Sequence, residues 1–140
     1  MDGFAELWAE TMPTDAERIY AELGLTADEM ARLPYEVGEL REVEEDGDVA
    51  GYAWIELRGR TLHVHALLLE PEFRGRGIGG RVLRELEDEF SNRVDEVELG
   101  VEPGNVPAQR LYERSGFVPV GERLGFLILR KRLTAAPPPP

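Results

Sequence analysis

Seven consecutive residues, Arg74-Gly75-Arg76-Gly77-Ile78-Gly79-Gly80, combine two guanidinium groups with four glycines. They follow the apolar run Ala66-Leu67-Leu68-Leu69. After them, Val82, Leu83, Leu86 and Phe90 continue from Ile78 at the spacing of one helix face. Strand, turn, glycine loop and helix is an order suited to anions. The first turn of a helix has N–H groups without internal partners, and its dipole favours negative charge. Glycine lets a ligand approach the backbone closely. With Arg74 and Arg76 adding positive charge, the natural guest is a phosphate or pyrophosphate.

Two patterns fit these residues. Gly75, Gly77 and Gly80 satisfy the G-x-G-x-x-G of dinucleotide sites, and Glu98 lies 18 residues after Gly80, near the ~20 expected of a ribose-binding acid. That fingerprint needs a strand running directly into its first glycine, whereas Glu70-Pro71-Glu72-Phe73-Arg74 intervenes here. The Gly-Lys-Ser/Thr of a P-loop is absent. Arg74, Gly77 and Gly79 also meet R-x-x-G-x-G. A second segment, residues 105–117, places Asn105, Ala108, Tyr112 and Gly116-Phe117 at fixed offsets. Asn105 suits a helix N-cap, Pro107 its first turn and Gly116 its end. The two motifs together, over roughly residues 37–133, resemble the GNAT superfamily of N-acetyltransferases.

The resemblance implies an α/β GNAT fold, a mixed and mostly antiparallel sheet with helices on both faces. It implies acetyl-CoA as co-substrate, no metal, and direct attack by a primary amine in a ternary complex. Backbone N–H groups of Arg74, Gly75, Arg76, Gly77, Ile78, Gly79 and Gly80 would hold the pyrophosphate. Leu67 and Leu69 would offer backbone to the pantetheine arm where a bulge splays two strands, one N–H facing the thioester oxygen. Asn105 and Ala108 would contact the cofactor. Tyr112 matches the general acid, since a phenol with a pKa of ~10 is protonated at neutral pH.

His63, eleven residues before Arg74, matches where some members place a base. His65 on the same face and Glu56 on the neighbouring strand are further candidates, and a water chain is the alternative to any direct base. Plain structural readings stand beside these: Asn105 as an N-cap only, and the histidines as half-buried strand residues. The competing function is a non-catalytic acyl-CoA-binding or partner-binding GNAT module.

Composition narrows the rest. The 140 residues suit one domain, expected over 1–133, followed by a Pro-rich tail over 134–140. No cysteine is present, which excludes disulfides and thiolate chemistry, and two histidines make a multi-His metal site poor. No apolar run reaches membrane-spanning length and no basic leader precedes an apolar one, so a soluble cytoplasmic domain without membrane attachment is expected. Residues 1–50 hold 15 acids against three arginines, the whole of the net −12. Nucleic acid needs a basic face and is disfavoured. In GNAT domains the N-terminal helices border the acceptor, so Asp15, Glu17, Glu22, Asp28 and Glu29 form an acidic rim suited to a cationic amine, small molecule or peptide. Monomer and homodimer both stay open.

The elements follow from periodicity and turns. Residues 4–33 read as helices, with Phe4, Leu7 and Trp8 opening one face and capping boxes at Thr14/Glu17 and Thr26/Glu29. GNAT domains open with a strand, and no strand signal precedes Phe4; the first strand is expected to be missing or very short. Strands are predicted over Tyr35–Val43, Val49–Leu57 and Thr61–Leu69, with Asp46-Gly47 and Arg58-Gly59-Arg60 as hairpin turns. Two hairpins in a row argue against a Rossmann unit. Later strands are predicted over Val94–Val101, Phe117–Glu122 and Leu124–Leu133.

Overall fold

The computed structural model describes residues 2–11, 21, 23–26, 29, 32–33 and 36–133. Helix α1 spans Asp2–Thr11. Strands β1 (Glu39–Glu45), β2 (Asp48–Arg58) and β3 (Thr61–Leu69) form a meander. A 3₁₀ turn at Pro71–Phe73 leads into helix α2 (Ile78–Phe90). Strand β4 (Glu96–Val101), helix α3 (Val106–Arg114), β5 (Val118–Arg123) and β6 (Phe126–Arg132) complete the chain. The six strands make one sheet in the order β1-β2-β3-β4-β6-β5. Every neighbouring pair is antiparallel except β3–β4.

Turn chemistry sets this meander. Asp46 and Gly47 have φ of 52° and 84°, both left-handed, as a two-residue hairpin turn between twisted strands requires. Gly59 at φ 61° serves the second hairpin. The first strand begins at Glu39, later than the expected Tyr35. Gly38 is left-handed at φ 71°, and Trp54 Nε1 donates to the Val37 carbonyl at 2.8 Å, so this backbone is held in a turn. The last strand begins at Phe126 and not at Leu124. Leu124 and Gly125, at φ 53° and 85°, form the β5–β6 turn. Among the described residues no strand precedes β1. The Thr26/Glu29 capping box forms: Thr26 N donates to Glu29 Oε1 and Glu29 N to Thr26 Oγ1, each at 3.1 Å. The Thr14/Glu17 box and the stretch 134–140 lie outside the described residues.

Helices cover both sheet faces, as expected. On one face Ile78, Val82, Leu83, Leu86 and Phe90 of α2 pack with Tyr112 of α3 and with Ile55, Leu62, Val64, Val97 and Leu99. On the other, Phe4 and Leu7 of α1 pack on Tyr52, Trp54 and Leu68. Among the described residues no helix is long and apolar enough to cross a membrane.

Two irregularities in β3 shape the centre of the sheet. Trp54 pairs with Ala66 and Ile55 with Val64, which leaves His65 as a bulge without a cross-strand partner. The bulge resets the alternation of faces. His63 and His65 lie on the α1 face, and so do Ala66 and Leu68, while Leu67 and Leu69 turn to the α2 face. On the other edge, β3 pairs with β4 only over Thr61–Val64 and Glu96–Leu99. Beyond that the strands part.

Leu124 tests the turn reading. An L-residue in this region costs about 1–2 kcal/mol, whereas glycine costs about 0.5–1 kcal/mol in unfolded-chain entropy. Leu124→Gly is therefore expected to stabilise the fold by about 0.5–1 kcal/mol in urea titration. A less stable variant would mean that the half-exposed side chain contributes more through packing than its backbone costs.

Candidate active site

A cavity of about 560 Å³ lies where β3 and β4 part. His63, His65 and Leu67 line it from β3, Leu99, Gly100 and Val101 from β4, and Asn105, Ala108 and Tyr112 from the second motif. Trp8, Leu33, Trp54 and Phe126 close the end facing α1. Leu69 and residues 74–80 do not line it. Leu69 is the last residue of β3, and residues 74–80 follow it after the Pro71–Phe73 turn.

Within that loop the glycines divide into two groups. Gly75 and Gly77 have φ of 74° and 79°, and a Cβ built on either meets no atom within 4 Å. Gly77 is the N-cap of α2 and offers no side-chain cap, so the first N–H groups of the helix lack that partner. Gly79 and Gly80 are buried under α3 instead. A Cβ on Gly79 would come within 2.9 Å of Leu111 Cδ2, so this glycine permits helix packing. Arg74 Nε donates to the Leu69 carbonyl at 2.9 Å, and the Arg76 guanidinium lies over the Phe73 ring at 5.2 Å. Both side chains brace the loop.

In α3, Asn105 Oδ1 accepts from Ala108 N at 3.2 Å, an N-cap as expected. Gly116, at φ 98°, follows the helix end. Tyr112 is buried, its ring edge-on to Phe117 at 6.0 Å. Burial pushes the phenol up to about 12, so the hydroxyl is protonated throughout the physiological range.

The histidines belong to a chain of polar contacts across the sheet. His65 stacks on Trp54 with ring centroids 4.1 Å apart and meets His63 edge-on at 4.5 Å. Its Nε2 lies 3.5 Å from Glu56 Oε2 and is buried without a hydrogen-bond partner among the described residues. Burial, then the His63 charge, lowers His65 to about 4. Burial also lowers His63, with Arg58 acting the same way and the Glu98 carboxylate opposing. His63 Nδ1 lies 3.2 Å from Glu98 Oε1. Arg130 Nε donates to Glu98 Oε2 at 2.8 Å. Burial opposes ionisation of Glu98, but the Arg130 hydrogen bond and the charges of His63 and Arg130 outweigh it and hold the carboxyl below its ordinary range. Glu56 is held down too: burial opposes, but the Arg58 hydrogen bond and charge prevail.

The family model described as "Acetyltransferase (GNAT) family" matches residues 2–117. The chain belongs to the GNAT acetyltransferase family. It is similar to the N-alpha-acetyltransferase RimI of Mycobacterium tuberculosis, 43 % identical over 81 residues, which is 55 % of this chain and 50 % of that protein. It is similar to the mycothiol acetyltransferase of Clavibacter michiganensis, 37 % identical over 75 residues, 53 % of this chain and 24 % of that protein. The matches thus span half or less of these relatives. Among solved structures, PaiA N-acetyltransferase from Thermoplasma acidophilum in complex with coenzyme A shares the fold at a TM-score of 0.68 and 17 % identity, covering 92 % of this chain and 87 % of that one. A GNAT family acetyltransferase from Elizabethkingia anophelis with acetyl-CoA bound does so at 0.64 and 17 %, covering 76 % and 84 %.

In this GNAT domain, sequence reasoning missed the contact of Glu98 and Arg130 with His63. Along the sequence Glu98 stands only as the acid of a dinucleotide fingerprint, 18 residues after Gly80. Only the pairing of β4 with both β3 and β6 puts it between His63 and Arg130. Of the acids placed on the acceptor rim, Asp15, Glu17, Glu22 and Asp28 lie outside the described residues, and Glu29 is exposed in its capping box.

The depressed histidines have a consequence for stability. Their folded pKa lies below the ~6.5 of an unfolded histidine, so between pH 6.5 and about 4 the unfolded chain binds more protons. Stability is expected to fall as pH drops through that window, and the lowered Glu56 and Glu98 add to the fall at its acidic end. His65→Phe, which keeps a ring against Trp54, should flatten the slope in denaturant titrations at several pH values. An unchanged slope would place the titrating groups elsewhere.

Proposed function

We propose that this chain transfers an acetyl group from acetyl-CoA to a primary amine by direct attack in a ternary complex. The observation that carries this reading is the parting of β3 and β4. It leaves the β3 edge from His65 to Leu69 without a β4 partner, facing Asn105, Ala108 and Tyr112 across the cavity and leading into the glycine loop.

The residues fit acetyl-CoA. Open space at the left-handed Gly75 and Gly77, ahead of an uncapped helix N-terminus, suits a pyrophosphate. The backbone of Leu67 and Leu69 suits the pantetheine amides, and an N–H there suits a developing oxyanion. Acetyl-CoA supplies a thioester whose carbonyl carbon accepts the amine, the C–N bond forming and the C–S bond breaking. His63 takes a proton from the acceptor ammonium, whose nitrogen can then attack. Tyr112 gives its proton to the departing thiolate and regains one from the acylated nitrogen. The net yield is one proton to solvent, passed on by His63.

The acceptor is a primary amine on a small molecule or a peptide terminus. Among the described residues, the cavity end facing α1 is apolar and aromatic, and its charged neighbours are Arg58, Arg123 and Glu102. These walls favour an amine beside an apolar group over the polycation suggested by the charge of residues 1–50. In an amine panel with thiol detection of released CoA, amines with apolar or aromatic substituents are expected to outperform spermidine at two salt concentrations. A polyamine preference that weakens with salt would restore the charge argument.

Tyr112→Phe is expected to lower kcat by roughly 10–10³-fold with little change in acetyl-CoA affinity. Gly77→Val should abolish the thermal stabilisation by acetyl-CoA, because it strains a left-handed backbone and fills the cradle. Gly79→Val is the wrong probe of the cradle, since it clashes with Leu111. Stabilisation by acetyl-CoA without turnover of any amine would favour a non-catalytic acyl-CoA-binding module.

A further inference from the structure

We infer that Glu98, held by Arg130, is a positioning residue that fixes His63 in its Nδ1–H tautomer and leaves Nε2 as the proton-accepting atom. This rests on the acetyltransferase reading above. Among the described residues Glu98 is the charged residue buried in the core, 6 % exposed. A buried carboxylate is costly unless both oxygens are engaged. Here they are: Oε2 accepts from Arg130 Nε at 2.8 Å, and Oε1 faces His63 Nδ1 at 3.2 Å. An ionised carboxylate only accepts, so the hydrogen in the second contact belongs to Nδ1. A neutral imidazole protonated there carries its lone pair on Nε2, and the ring lines the cavity.

The position in the sheet supports a purpose beyond pairing. The His63–Glu98 rung is the last but one before β3 and β4 part. The contact therefore orients the ring at the mouth of the opening. Ionisable neighbours come from every strand around it: Glu56 and Arg58 from β2, His65 from β3, Glu98 from β4 and Arg130 from β6. Of these, only Glu98 contacts a His63 nitrogen. Arg130 is a donor only, so it holds Glu98 ionised and aimed.

Glu98→Gln exposes the logic. Arg130 would claim the amide oxygen of glutamine, turning its NH₂ toward His63 Nδ1. That NH₂ donates, so Nδ1 must become the acceptor and the hydrogen moves to Nε2. The base is then protonated at the wrong atom.

The test combines ¹⁵N-detected histidine NMR with kinetics of CoA release. The native chain should show His63 as the Nδ1–H tautomer, and Glu98→Gln as Nε2–H. Glu98→Gln should lower kcat/KM by roughly 10–10³-fold with unchanged acetyl-CoA affinity, and move the acidic limb to lower pH because it removes a charge that favours the imidazolium. On a His63→Ala background the same substitution should change kcat/KM less than twofold, because Glu98 acts through His63. Glu98→Asp, which keeps the charge, should retain more activity than Glu98→Gln. An Nε2–H tautomer in the native chain overturns the inference, and needs no variant to fold. A further drop of roughly 10–10³-fold from Glu98→Gln on the His63→Ala background, the same loss as in the native chain, overturns it too. If no amine is acetylated at all, the function reading fails, while the tautomer measurement still decides the role of Glu98.

Discussion

The organisation of this protein depends on where one pair of parallel strands stops pairing. β3 and β4 are bonded from Thr61–Glu96 to Val64–Leu99, and then β3 bulges at His65 and continues alone along that edge. Had the pairing continued, the sheet would be closed and the core face uninterrupted. Instead the end of β3 carries backbone donors and acceptors with no β4 partner. Buried backbone groups without partners are costly, so such an edge persists where a ligand or solvent reaches it. Alternation puts both histidines on the α1 face, and the bulge then turns Leu67 and Leu69 toward α2. One local defect thus separates the groups suited to proton transfer from the backbone suited to the cofactor.

Much of this was legible in the sequence. The glycine loop, the Asn105 cap, the Gly116 stop and the Asp46-Gly47 turn are local signals. Each acts within a few residues and needs no tertiary information. The strand ends at Tyr35 and Leu124 were misplaced for equally local reasons: Gly38 and Leu124 adopt left-handed backbone, and nothing in a leucine announces that. The His63–Glu98–Arg130 contact was illegible for a different reason. Its three members lie on strands that are separated in sequence and meet only through one parallel and one antiparallel pairing. Along the chain Glu98 stands out only as the acid 18 residues after Gly80 in a dinucleotide fingerprint, and only sheet order gives it its actual neighbours.

The glycines of residues 75–80 show why a motif should not be read as one device. Gly75 and Gly77 are required by backbone angle and leave open space. Gly79 is placed by contact instead, since a Cβ there would come within 2.9 Å of Leu111 Cδ2, while Gly80 beside it has only ordinary contacts. The first pair leaves room suited to a ligand, and Gly79 bears on how closely the two helix motifs can lie. That closeness helps to bring Tyr112 near the end of β3. A substitution at Gly79 would thus disturb the position of Tyr112 through the fold, and one at Gly77 the proposed anion site through the backbone.

The phenol raises a question of proton energetics. With Tyr112 pushed up to about 12 by burial, it is a weaker acid than a solvated tyrosine, and a thiolate of ordinary basicity, near ~8.5 for a cysteine thiol, would take its proton reluctantly. In the proposed reaction, however, the thiolate would leave into the cavity that Tyr112 lines, and desolvation disfavours any anion formed there. The burial that raises the phenol raises the thiol with it. The gap that matters is the difference between the two acids in the cavity, about 1.5 units for a phenol and a thiol in water. The burial that raises Tyr112 is therefore compatible with the proposed transfer to a thiolate beside it, and it keeps the hydroxyl protonated.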